Sequence, residues 1–386
     1  MPSRDDALGM DAADPMALWR DEFVVPDNAV IYLDGNSLGM MPRRSLGRLE
    51  RVMRDEWAGG LIGSWNHWLD MPQRVGDRLA PLIGAAPGEV AVHDSTTVNI
   101  YQLVDAACAL RPDRREIAIS SAEFPTDRYV VDGIARARSM RVRDDFDDLD
   151  DVAVMVRSVV DYRSAAVADV HGETARATAA GALALWDLSH AAGVLAIDLG
   201  AAGVQLAVGC TYKYLNGGPG SPAFSYVARS MQATLPQPIW GWFAQAEQFD
   251  MGPSFSPQPD IRRVLLGTPS ILALAAAEEG IALTVEAGIE AIEAKARALT
   301  GLALELCDQF GLESSTPRQP ASRGGHVAVH HPDAKHLVTE LAEHGVMTDF
   351  RDPDIVRIGC SPLTTRFADV FDGLTRLAEL ISDEHA

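Results

Sequence analysis

The chain has 386 residues, 47% of them hydrophobic and 23% charged, with a formal net charge of −21. That length holds one large domain or two ordinary ones, and the composition excludes disordered and fibrous classes. So acidic a chain lacks the concentrated Lys and Arg that nucleic acid or an anionic membrane would require.

In chain order, residues 1–30 read as a mobile arm followed by a short helix around Pro15–Phe23. The acidic opening has no apolar core of a signal peptide, and no later apolar run reaches membrane length, which predicts a cytoplasmic protein. A strand is expected at Val30–Leu33, running into the turn-like Asp34-Gly35-Asn36-Ser37-Leu38-Gly39, and then a helix over Arg43–Trp57. Glu116–Ser120, Ala153–Val160, Ala182–Trp186 and Leu206–Cys210 are short continuous apolar runs, separated by helical stretches such as Val130–Arg138. Unbroken apolar runs suit strands buried on both faces, so an α/β core with a parallel sheet is predicted. Ser270–Phe310 is helical and Ala-rich. A smaller α+β unit follows: strand His326–His330, helix Ala334–His344, strand Ile355–Cys360 and helix Thr364–Asp383. The predicted division is an N-terminal segment over 1–40, a large domain over 41–269, and a connector helix with a small domain over 270–386.

Cys108, Cys210, Cys307 and Cys360 are widely spaced with no CxxC pair, as in reduced thiols rather than a disulfide frame or zinc site. His330, His331 and His336 lack an accompanying Cys or carboxylate cluster, so no metal site is predicted. Trp57, Trp65 and Trp68 read as core or pocket wall. Gly35-Asn36-Ser37-Leu38-Gly39 matches the GxSxG elbow of serine hydrolases, but only about thirty residues precede it, too few for the upstream strands that fold needs.

The chain contains three lysines: Lys213, Lys295 and Lys335. Lys295 lies on a charged helical face whose ordinary reading is solvated, and Lys335 begins a helix. Lys213 instead follows the apolar run ending at Cys210 and precedes Asn216-Gly217-Gly218-Pro219-Gly220. The end of a strand opening into a glycine-rich loop is where open α/β sheets bind ligands. An amine half-buried there has a lowered pKa and can attack a carbonyl, while the plain alternative is a surface lysine beyond a strand. Asp187 ends the preceding apolar run. One helical crossover between the two runs would bring Asp187 and Lys213 to the same sheet edge. Pyridoxal phosphate (PLP) needs this pair, a lysine for its aldehyde and a carboxylate for its pyridine nitrogen. A helix N-cap is the alternative reading of Asp187.

Asp187-Leu188-Ser189-His190-Ala191-Ala192-Gly193, and Gly209-Cys210-Thr211-Tyr212-Lys213-Tyr214-Leu215-Asn216-Gly217-Gly218-Pro219-Gly220, resemble the kynureninase family. Tyr32-Leu33-Asp34-Gly35-Asn36-Ser37-Leu38-Gly39, Phe124-Pro125-Thr126-Asp127, Gly241-Trp242-Phe243, Gly267-Thr268-Pro269 and Asp349-Phe350-Arg351 through Arg357 follow in that family's order. The resemblance implies the fold-type-I PLP fold, a large domain with a mainly parallel seven-stranded sheet and a smaller α+β domain. It implies a homodimer with active sites at the subunit interface. It further implies that Lys213 carries PLP as a Schiff base, Asp187 pairs with the pyridine nitrogen, His190 supports the ring, Phe124 stacks on it and Asp127 meets its polar edge. Thr96, Thr97, Tyr212, Trp242 and Thr268 would reach the phosphate, with Ser158 a further cofactor contact, and Trp242 and Thr268 would come from the partner subunit. Asn36, Ser37 and Trp65 would shape the substrate pocket, and Arg357 would clamp the substrate α-carboxylate. The implied reaction is hydrolysis of L-kynurenine, or a ring-substituted kynurenine, to an anthranilate and L-alanine. The catalytic residues would be Lys213, Tyr212 and Asp187. A C–S lyase or desulfurase acting on another β-substituted amino acid, and a catalytically silent PLP-fold binding protein, are the competing readings. Val159, Ser164-Ala165 and Ala244-Gln245 depart from the family's usual His, Thr-Gly and Gly-His, and would bear on which substrate is taken.

Overall fold

The computed structural model describes residues 1–26 and 30–383, so residues 27–29 of the expected arm lie outside the described residues. Seven strands form the large sheet: β1 (Val90–His93), β2 (Glu116–Ala118), β3 (Arg141–Arg143), β4 (Val152–Ser158), β5 (Leu183–Asp187), β6 (Leu206–Gly209) and β7 (Ala223–Val227). Their spatial order is β1-β7-β6-β5-β4-β2-β3. The central strands pair in parallel, and β7 runs antiparallel to both of its neighbours. Every residue of β5 and β6 is buried, as expected of strands covered by helices on both faces. Alternate side chains feed two apolar clusters. Met155, Ala184, Trp186 and Phe224 enter one, while Val154, Leu183, Leu185 and Val208 enter the other.

The strands β4 to β6 and β2 fall where the apolar runs predicted them. The short β1 and β3 and the antiparallel β7 were not anticipated. The expected helical crossover between β5 and β6 is absent: residues 188–205 form successive turns, with Gly193 and Gly203 at φ 86° and 69°. Left-handed glycines interrupt a helical repeat, yet the strands still pair side by side. The register that follows places Ser158 opposite Asp187 and Asp187 opposite Val208. All three lie at the carboxyl ends of their strands, and Lys213 follows just beyond β6.

The C-terminal sheet holds β8 (Glu313–Ser314), β9 (His326–His330), β10 (Asp349–Arg351) and β11 (Ile355–Gly359), antiparallel in the order β10-β11-β9-β8. Before it run two helices, Ile271–Ala287 and Ile289–Phe310, broken at Gly288 where φ is 82°. Further upstream, the helix Arg43–Arg51 continues as a wider π-type winding over Val52–Gly60. Among the described residues no helix is long and apolar enough to cross a membrane.

The N-terminal stretch is not a free arm. Arg4–Ala13 is a helix begun by a Ser3/Asp6 capping box, and Asp11 accepts from the backbone N–H groups of Phe367 and Ala368 at 2.7 and 3.0 Å. Asp11 thereby caps the helix Phe367–Asp383. Lys295 is likewise not solvated: it is buried and forms a 2.7 Å ion pair with buried Asp14. Trp57 is 58% exposed rather than core.

Candidate active site

Lys213 sits in the loop after β6, 8% exposed, with its Nζ 3.0 Å from His190 Nε2 and 5.7 Å from the centre of the Phe124 ring. Burial pushes its ammonium below the usual lysine range, opposed by the charges of Cys210 and Asp187. Burial likewise holds the His190 ring well below its ordinary pKa, reinforced by Lys213 and Arg357 nearby, so His190 is neutral and offers a lone pair.

Asp187 closes β5. Its Oδ1 accepts the Ser189 N–H at 2.8 Å, so it orders its own loop instead of capping a helix. Burial raises its carboxyl and that of Asp127, which is raised further by Asp187 and Glu123. Asp127 lies in the first turn of the helix Pro125–Arg138, for which Phe124 is the N-cap. Ser158, at the end of β4, donates its N–H to Glu123 at 3.1 Å. Phe124 meets Tyr162 edge to face, with ring centres 5.3 Å apart. Thr96 and Thr97 open the fifteen-residue helix Thr96–Leu110, which Ser95 caps. Its first-turn N–H groups and dipole suit an anion. Tyr212 is half-buried, and burial raises its phenol well above the ordinary value, so it stays protonated.

Arg357, on β11, is fully buried. It donates from Nε to Asp349 Oδ1 at 2.7 Å, from Nη2 to Asp349 Oδ2 and to Ser37 Oγ, the latter at 3.0 Å, and from Nη1 to the Tyr162 carbonyl at 2.7 Å. Nη1 also lies 3.4 Å from His190 Nε2. Asn36, with its amide oxygen turned to the guanidinium, accepts from Nε at 3.2 Å and Nη2 at 3.0 Å. The turn carrying Asn36 and Ser37 is stitched down at both ends. The Gly359 N–H donates to Leu33 O and the Gly39 N–H to Tyr212 O. A Cβ on Gly359 would stand 1.7 Å from the end of the Asn36 side-chain amide, and one on Gly39 would stand 2.4 Å from the Lys213 carbonyl. Only glycine permits that approach. Ser37 is thus a ligand of the Arg357–Asp349 pair, which removes the GxSxG reading.

The chain as a whole is similar to proteins of known activity. The kynureninase C-terminal domain family matches residues 292–377. The chain is 41% identical to a kynureninase of Pseudomonas fluorescens over 400 residues, 99% of this chain and 96% of that one. It is equally similar to a kynureninase of Burkholderia pseudomallei over 403 residues, 100% and 97% of the two chains. It belongs to the kynureninase family. Among solved structures, a cysteine desulfurase from Thermococcus onnurineus NA1 superposes with a TM-score of 0.81 at 17% identity, covering 92% of this chain and 96% of that one. A C-DES variant with glycine covalently linked to its PLP cofactor gives 0.79 at 16% identity, covering 98% and 100%. These two likenesses establish the fold, the fold-type-I PLP fold.

The cofactor is pyridoxal phosphate, and the residues present fit it. A buried primary amine, a flat aromatic ring beside it, a carboxylate at the foot of the cleft and an open helix N-terminus are the four groups that an aldehyde, a pyridine ring, its nitrogen and a phosphate require. Lys213 would hold the aldehyde carbon and the helix start at Thr96 and Thr97 the phosphate. Within one chain, Trp65 packs on Trp68 and Phe243, Trp242 packs on Phe243 and Phe249, and Thr268 is exposed. The residues that sequence reasoning missed are Glu123, Tyr162 and Asp349. Asp349 was quoted as part of a motif without a role, and the carbonyl of Tyr162 carries no side-chain signal at all. Among the departures, Val159 turns its side chain into the core, and Ala165 takes φ 63° where the family's glycine would be unstrained.

Proposed function

We propose that the chain hydrolyses L-kynurenine, or a 3-hydroxy or otherwise ring-substituted kynurenine, to the corresponding anthranilate and L-alanine, as part of tryptophan catabolism. The observation that carries this is the short relay from amine to guanidinium. Lys213 Nζ is 3.0 Å from His190 Nε2, which is 3.4 Å from Arg357 Nη1. One small amino acid therefore meets a nucleophilic amine at one end and a carboxylate receptor at the other.

Pyridoxal phosphate, when bound, supplies a conjugated ring that accepts electrons released at the substrate's Cα and Cβ. Arg357 holds the α-carboxylate, and the amine of Lys213, its pKa lowered by burial, removes and returns the proton at Cα. Asp187 supplies the negative charge that keeps the ring nitrogen protonated. A water adds its oxygen to the γ-carbonyl carbon, the Cβ–Cγ bond breaks, and the aromatic acid leaves. Tyr212, protonated because its phenol is buried, delivers a proton to Cβ to complete L-alanine.

The enzyme acts as a cytoplasmic homodimer in which Trp242 and Thr268 reach the partner's cofactor site, with domain divisions at residues 40/41 and 269/270. The four cysteines are all buried with their thiols pushed up by burial, Cys108, Cys307 and Cys360 to about 12, so none is poised as the thiolate of a desulfurase.

A panel of L-kynurenine, 3-hydroxykynurenine and further ring-substituted kynurenines tests the reading by release of the aromatic amine and alanine in equal amounts. Absence of product from every member would refute it. Lys213→Ala is expected to lose both this activity and the cofactor's visible absorption. Tyr212→Phe is expected to keep the absorption and lose about 10²-fold in kcat. Unchanged turnover by Tyr212→Phe would remove Tyr212 from the proton path.

A further inference from the structure

The guanidinium of Arg357 has five N–H hydrogens, and acceptors stand around all three of its nitrogens. A substrate carboxylate must therefore displace something, and the occupants are unequal. Asp349 is an anion holding the Nε/Nη2 edge with both oxygens, and it sits directly across the β10–β11 ladder from Arg357. Its Oδ2 also accepts from Ser37 Oγ at 2.6 Å and Arg351 Nη2 at 2.7 Å. On the Nη1/Nη2 edge the partners are neutral: the Ser37 hydroxyl, the Tyr162 carbonyl and the His190 ring at 3.4 Å. All of these bonds start from a cation, but only Asp349 adds an opposite full charge held in bidentate geometry, the stronger arrangement.

We propose that Asp349 is a positioning residue: it grips Arg357 by the Nε/Nη2 edge, stays there when substrate binds, and so presents the Nη1/Nη2 edge to the substrate α-carboxylate, which displaces Ser37 and His190. The charges agree. Asp349 is the carboxylate that both Arg351 and Arg357 hydrogen-bond, and the edge of Arg357 turned away from it meets no anion. Asp34 is the other acid facing this cluster; burial followed by the Asp349 charge raises its carboxyl to about 6, and its buried Oδ1 has no hydrogen-bond partner, so it acts on the guanidinium by charge and does not occupy either edge. Arg351 is half-exposed and bonded to Asp349, so it anchors the anion while Arg357 faces the cleft.

The proposal rests on the reading of Arg357 as the substrate's carboxylate receptor, and the test separates the two. The holoenzyme is titrated calorimetrically with two ligand pairs, the deaminated analogue of kynurenine with its primary amide, and L-alanine with L-alaninamide. In the parent, each carboxylate binds more tightly than its amide. Asp349→Asn weakens the carboxylates by about tenfold and leaves the amides within about twofold. Asp349→Glu recovers part of that selectivity. Equal loss on acid and amide, or unchanged selectivity, overturns the proposal. A parent that discriminates the alanine pair alone contradicts kynurenine as substrate and leaves the Asp349 comparison intact on alanine. A parent that discriminates neither pair overturns both. A crystal structure of the parent with L-alanine gives a second reading that needs no variant. Asp349 remaining on Nε/Nη2 while the Ser37 and His190 contacts open supports the proposal, and Asp349 released from Arg357 overturns it.

Discussion

Two acids in the Arg357 cluster, Asp349 and Asp34, behave oppositely for reasons visible in their neighbours. Asp349 is held below the usual carboxylate range, where the hydrogen bonds and charge of Arg357 outweigh its burial. Asp34 has one buried oxygen without a partner, and burial together with the Asp349 charge lifts it to about 6 from an ordinary 3.8. A folded pKa raised this way means that Asp34 favours the folded state below about pH 4, and that contribution is lost as pH rises through about 6. Asp34→Asn has no such loss. Chemical denaturation at fixed protein concentration should therefore show the variant gaining on the parent by on the order of 2 kcal/mol between pH 4.5 and 7.5. A gap that stays constant across that window would show that Asp34 does not ionise against the fold.

At the scale of elements, the N-terminal helix Arg4–Ala13 and the segment after it are built into the C-terminal half. Arg4 pairs bidentately with Asp372, Asp11 caps the last helix, and Asp14 neutralises Lys295 inside the structure. Removing one member of a buried pair strands the other charge, which costs far more than removing both. Asp14→Ala is expected to lower stability by about 3–5 kcal/mol, and Asp14→Leu with Lys295→Met to recover most of it. Urea midpoints of the three proteins check this. Equal midpoints for Asp14→Ala and the parent would mean that water reaches Lys295. The turn 34–39 is a second such element. It belongs to the sheet edge at Gly359 and to the Lys213 loop at once, which is how Asn36 and Ser37 come to face an arginine more than 300 residues away in sequence.

At the scale of the whole molecule, Trp57, Ile62, Trp240 and Met251 are 58%, 81%, 71% and 76% exposed. Exposed apolar side chains of this size are what the second chain of the proposed homodimer would cover if they fall on its interface. In that proposed dimer Trp242 and Thr268 would serve the partner's cofactor site. Mixing an inactive Lys213→Ala chain with an inactive Trp242→Ala/Thr268→Ala chain, then allowing subunits to exchange, should restore about a quarter of the parental sites, because each heterodimer rebuilds one. Activity that stays at zero in a mixture shown to contain heterodimers would place both residues in their own chain's site.

What could be read from the sequence alone was chemistry carried by scarce residues and local pattern. One lysine of three stood after an apolar run and before glycines, Asp187 ended the preceding run, and unbroken apolar stretches marked β4 to β6 as strands buried on both faces. Those signals are local, because a strand's burial is set by its own side chains and a loop's freedom by its own glycines. The tertiary structure decided what depends on distant partners. Lys295 reads as a solvated helical residue until Asp14 meets it, β7, which the apolar-run reading did not mark, inserts antiparallel beside β6, and residues 188–205 link neighbouring strands through turns where a helix was expected. Asp349 was legible only as a letter in a motif. Its role comes from a two-strand ladder that sets it opposite Arg357, and a pairing register is a property of the folded sheet, which neither strand carries by itself.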